Sequence, residues 1–157
     1  MQAFKGAEIF CHPTSEVGSP TLTPKHITKK ARAVENIAYG VSANSAEIIG
    51  TPVPSASTEG MSIVLDWYGR SLAEANQGET INAYAVLDIG ALRDTRRKTG
   101  MTNTLSRLPN AAFASAYGQA NHAPANRTPD AQMIERKDAI AQQQAVIDRL
   151  VASGVLK

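Results

Sequence analysis

The residues best suited to do chemistry in this 157-residue chain are few: one cysteine, Cys11, three histidines, His12, His26 and His122, and a scatter of carboxylates. A thiolate nucleophile needs a base within reach, and a metal needs ligands on a structured spacing, such as two histidines one helical turn apart. The sequence holds neither pattern. Cys11 and His12 are neighbours, and neighbouring side chains on a strand point to opposite faces. Asp66, next to Trp67, and Asp88, just ahead of a predicted helix, have no paired acid at a suggestive spacing. No glycine-rich phosphate loop, nucleophile elbow or zincin motif is present. The reading is therefore no catalytic residue, no metal and no cofactor. A small enzyme whose site is assembled in space around Cys11, His12 or Asp88 is the third alternative.

The cations are better organised. Lys25, Lys29 and Arg32 fall at i, i+4 and i+7, and so share one face of a predicted helix, with His26 and Lys30 flanking them. They crowd a helix N-terminus, where the macrodipole disfavours positive charge, which suggests a held anion. A second group, Arg93, Arg96, Arg97 and Lys98, sits towards a helix C-terminus, where cations are expected in any case. Without interleaved aromatics, these two clusters resemble a phosphate-contacting surface more than a stacking platform.

The elements that must carry these residues follow from periodicity and punctuation. Residues 3–11 read as an opening strand and 12–24 as a loop. Thr23 and Pro24 start a helix whose apolar stripe is Ile27, Ala31, Val34, Ala38 and Val41, weakened or ended by Gly40. Residues 47–55 read as an extended edge segment, because Pro52 and Pro54 cannot donate to a central ladder. Met61, Val64, Leu65, Tyr68, Leu72 and Ala75 recur at helical steps, which predicts a second helix. Residues 80–89 alternate as a half-buried strand, and a short helix from Ala91 to about Lys98 stops at Gly100.

From Met101 to Arg127 the chain is rich in Asn, Ala, Ser and Thr and reads as an extended arm or loop, with one possible helical turn at 103–108. Thr128, Pro129 and Asp130 predict the start of a last helix running to about Ser153, with Gly154 as its stop. Met133, Ile140, Ile147, Leu150 and Val151 form a narrow seam along it, suited to docking or oligomerisation.

Composition sets the frame. A net charge of +2 does not by itself mark a nucleic-acid binder, one cysteine excludes an internal disulfide, and only 5% of residues are aromatic. No leader pattern and no membrane-length apolar run is visible, so a cytoplasmic, non-secreted location and no membrane partner are expected. The fold class expected is α+β: a small mixed or antiparallel sheet packed with helices, a loose arm and a long C-terminal helix. The organisation expected is a core over 1–100, an arm over 101–127 and a helix over 128–157. The leading functional expectation is a non-enzymatic structural or assembly protein, in the manner of a phage or virus-like component, binding itself or other subunits. The alternative is a nucleic-acid-associated or inhibitory protein using the two basic clusters.

Overall fold

The computed structural model describes residues 2–18, 21, 23–120, 123 and 134–157. The chain divides into two compact units, Met1–Leu108 and Pro109–Lys157. The first is built on a four-stranded mixed sheet in the order β1-β2-β3-β4: β1 (Ile9–Thr14), β2 (Tyr39–Asn44), β3 (Ile63–Leu65) and β4 (Ser71–Glu74). β1 runs parallel to β2 and the other pairs are antiparallel. Helix α1 (Pro24–Asn36) makes the crossover from β1 to β2, and α2 (Ile89–Arg97) and α3 (Thr104–Arg107) follow the sheet. This agrees with the α+β expectation at the level of class.

Register decides what each face carries. Phe10 pairs with Gly40 and Gly40 with Leu65, while His12 pairs with Ser42 and Ser42 with Ile63. These residues share one face, and α1 covers its centre by packing Ala33 on Ile63 and Leu65. Gly40 lies against the flank of Leu65, from which an added Cβ would stand 3.5 Å away, an ordinary contact. The opposite face carries Ile9, Cys11 and Pro13, all exposed, beside half-buried Val41 and Val64. At one end of the sheet a second core joins Ile37, Tyr39 and Leu92, flanked by Trp67, Leu87, Ile89 and Leu105.

Several elements differ from the sequence reading. The opening is a 3-10 turn over Gln2–Lys5 and then β1, so the strand begins later than residue 3. α1 starts at Pro24 as expected, but Thr23 makes no side-chain cap bond. The helix stops at Asn36, where Ile37 turns left-handed at φ 43, and β2 begins at Tyr39. The predicted stripe is not the buried one: Ile27 is 69% exposed, while His26 and Ala33 are buried.

The second predicted helix is a hairpin, β3 and β4. Asp66 builds its turn by accepting from the backbone N–H groups of Tyr68 and Arg70, and Gly69 supplies φ 75. Two short strands separated by such a turn give apolar spacings that imitate a helix.

Residues 47–55 form no strand, and a 3-10 turn spans Ser55–Ser57. The expected strand at 80–89 pairs with nothing among the described residues, and Tyr84 and Val86 are 90% and 92% exposed. α2 comes close to expectation, with Asp88 as its N-cap accepting from Ala91 N–H.

The second unit holds α4 (Asn110–Gln119), inside the stretch read as an arm, and α5 (Arg136–Ala152). Glu135 is the N-cap of α5, so the helix starts later than expected; Thr128, Pro129, Asp130 and Met133 lie outside the described residues. Ile140, Ile147, Leu150 and Val151 are on α5, and none is buried. Among the described residues no helix is long and apolar enough to cross a membrane.

Candidate functional site: a buried ionic cluster beside a groove

α1 lies over β2 and β3 and leaves β1, the edge strand, uncovered on that face. The result is a groove of about 690 Å³ between α1 and β1. Its walls include Lys25, Lys29 and Arg32 from α1 and Phe10, His12 and Glu16 from β1 and the loop after it. The three cations expected on one helix face therefore do share a surface, and it is the surface turned towards the groove.

Behind that wall sits a group of buried charges from three segments. Lys29 Nζ donates to Glu16 Oε2 at 2.7 Å, with side chains 9% and 3% exposed. His26 Nε2 and Glu59 Oε1 are 2.6 Å apart in a wholly buried contact. The backbone holds the two carboxylates side by side: Glu59 N–H donates to Glu16 C=O, Gly78 N–H donates to Glu59 C=O, and Val17 bridges to Thr58. Asn44 Oδ1 accepts from Glu16 N–H at 2.7 Å, which fixes the loop after β1. Burial resists ionisation of Glu16, but Lys29, reinforced by Lys25 and His12, outweighs it and keeps the carboxyl below the usual range.

His12 Nδ1 lies 3.1 Å from Ser42 Oγ, an ordinary cross-strand pair on the groove face. Cys11 is a free, exposed thiol on the next residue of the strand, and projects to the opposite face. The two form no nucleophile–base pair. Asp88 is occupied as a helix cap. His122 lies outside the described residues.

The second basic group serves the fold. Arg93 makes a two-pronged pair with Glu8, at 2.7 and 2.9 Å, and this holds the Glu8 carboxyl low. Arg96 donates to the carbonyls of Ile37, Ala7 and Asn36, so it caps the C-terminal end of α1. Desolvation draws its guanidinium below the ordinary value. Arg97 is exposed and near Asp94 at 4.0 Å, and Lys98 is exposed. On α1, Lys30 is exposed and Arg32 pairs with Glu35 at 3.2 Å. The clusters approach only at the C-terminal end of α1, where Arg96 reaches the Asn36 carbonyl one turn beyond Arg32; Lys25 stands about 17 Å from Asn36 along the helix at the helical rise.

Sequence reasoning missed Glu16, His26 and Glu59 as a unit. His26 and Glu59 are 33 residues apart, and no local spacing announces their meeting. The available signal was the burial of a polar helix face, with His26, Lys29 and Ala33 at i, i+3 and i+7.

No protein-family model matches this sequence, and no curated protein matches it. Solved structures do. The chain is similar to a carbon–nitrogen hydrolase from Helicobacter pylori G27, with TM-score 0.58 and 21% identity over 73% of this chain and 42% of that one. It is also similar to the C. elegans NitFhit protein, with TM-score 0.53 and 21% identity over 70% of this chain and 25% of that one. Saccharomyces cerevisiae Nit3, of branch 10 of the nitrilase superfamily, aligns at 30% identity over 64% of this chain and 35% of its own, with TM-score 0.48.

The first two likenesses establish the fold: most of the chain adopts part of a carbon–nitrogen hydrolase architecture, and those proteins are larger. The chain spans less than half the length of each. This overturns the expectation of a non-enzymatic assembly protein of viral type, and with it the nucleic-acid alternative. The neighbours are themselves hydrolases, and what this chain shares with them is the fold.

Proposed function

We propose that this chain is a working part of a carbon–nitrogen hydrolase, supplying one sheet, helix α1 and the groove between them. The observation that carries the reading is the fold likeness over 73% of the chain. Two features of the chain support it. The sheet face bearing Ile9, Cys11 and Pro13 is open, and Tyr84 and Val86 stand bare on an extended segment. Apolar surface of that kind is normally buried against a further layer. In the proposed enzyme the rest of the fold covers it.

The groove wall suits a substrate with a negative group. Lys25, Lys29 and Arg32 face it together, and Lys29 is held in place by Glu16. Lys29 is already paired with Glu16, so the cations that would meet a carboxylate are Lys25 and Arg32 at the groove rim. The reaction is addition of water across a carbon–nitrogen bond: the carbon gains hydroxyl and the nitrogen leaves protonated. The groove residues of this chain bind and orient; the nucleophile is assigned to none of them.

The test is ammonia release from short amides, with and without a distal carboxylate, by the tagged chain isolated from its own cells with the polypeptide that accompanies it. Turnover is expected, and Lys25→Ala with Arg32→Ala should raise KM for the carboxylate-bearing amides about tenfold while leaving neutral amides unchanged. An isolate that releases no ammonia from any amide overturns the proposal.

A further inference from the structure

We infer that Glu16, His26 and Glu59 form a divalent-cation site, of the donor type that takes zinc. Their ligand atoms lie within 4.8 Å of one another, and all three residues are buried. The site is independent of the hydrolase reading, since it rests on the cluster alone.

The first argument is charge. Two carboxylates face one ammonium, Lys29, so with a neutral imidazole the buried group carries one net negative charge. A buried, uncompensated charge is expensive, and proteins neutralise it with a proton or a cation. A proton on His26 answers only Glu59 Oε1, the oxygen 2.6 Å from Nε2. The other oxygen, Oε2, is buried, and no donor among the described residues reaches it. Glu59 as a whole is 0% exposed, so its carboxylate cannot lean out to water. A cation held by both carboxylates and the imidazole serves the bare oxygen as well as the bonded one.

The second argument is the donor set. One imidazole nitrogen and two carboxylate oxygens match zinc, which takes both donor types at about 2.0–2.2 Å, and fit manganese less well. Two donors on one such ion sit about 3.3 Å apart, so the His26–Glu59 contact opens by a fraction of an ångström on binding. Two of the three segments are already clamped by the backbone bond from Glu59 N–H to Glu16 C=O, and the His26 side chain ties α1 to Glu59. Glu16 and Lys29 also line the groove, so that wall is where the cluster comes nearest to it. Lys29 remains on Glu16 as the neighbouring partner that orients the ligand.

Protein stripped with chelator and dialysed is titrated with zinc chloride by calorimetry and by thermal melting, with manganese chloride in parallel. One equivalent should bind saturably and raise the melting temperature, with zinc tighter than manganese. His26→Gln and Glu59→Gln should each weaken zinc at least about tenfold. Cys11→Ser and His12→Gln, which remove the exposed alternatives, should leave it unchanged. X-ray absorption on the zinc-loaded natural sequence needs no variant to fold, and should show nitrogen and oxygen neighbours with one imidazole. Absence of saturable binding, sulfur in the coordination sphere, or loss of binding in the Cys11 or His12 variants overturns the site.

Discussion

The two basic groups of this chain look alike in sequence and are put to different uses. The one on α1 sends Lys29 into a buried pair with Glu16, beside His26 and Glu59, at the wall of a groove. The one on α2 is spent on the fold: Arg93 grips Glu8 at the surface and Arg96 gathers three carbonyls at the end of α1. Helix ends favour cations at the C-terminus and disfavour them at the N-terminus. The α2 group follows that preference, and the α1 group opposes it. Lys29 stands in the second turn of α1, where its partner is the buried Glu16 carboxylate rather than the helix dipole.

The difference can be broken from either side. Lys29→Met leaves Glu16 buried without its partner and should cost about 3–5 kcal/mol in urea unfolding, the largest effect expected here. Arg96→Ala strips a charged donor from Ile37, Ala7 and Asn36 carbonyls and should cost about 2–3 kcal/mol. Arg93→Ala removes only a surface pair, and its unfolding midpoint should move by about 1 kcal/mol or less. An Arg93 effect as large as that of Lys29 would erase the contrast.

Acid sharpens the comparison. The Glu16 carboxyl is held below its ordinary value of 4.5 in the folded chain, so its contribution is complete above that value and fades as pH falls through the folded one. In Lys29→Met the counter-charge is gone and burial favours the protonated acid. The stability gap between the natural sequence and Lys29→Met should therefore be widest near neutrality and close as pH drops below 4.5, read from unfolding curves across the acid range.

What the sequence made legible was local. Pro24 marked the start of α1, the short helix after residue 89 was expected from Ala91, and Gly154 lay just past the end of α5. What it hid depended on tertiary placement. The hairpin at 63–74 read as a helix because Asp66 and Gly69 close a turn inside a run of apolar residues. The 80–89 alternation carries a strand pattern, yet the segment pairs with no strand among the described residues. The buried face of α1 was assigned to its apolar stripe, yet Ile27 is exposed and the polar His26 is inside. Hydrophobic pattern cannot foresee that three distant segments will meet over one imidazole.

Ile37 has a mechanical consequence. The passage from α1 to β2 takes two residues and is pinned by Arg96, so the tilt of the helix and the seat of the strand are a single degree of freedom. Tyr39, the first residue of that strand, meets the sole tryptophan, Trp67, edge-on at 5.1 Å. Anything that wedges α1 away from β1 must disturb that ring contact. A ligand that wedges α1 away from β1 is therefore expected to change the emission of Trp67, and one that fills the existing groove without moving α1 is not.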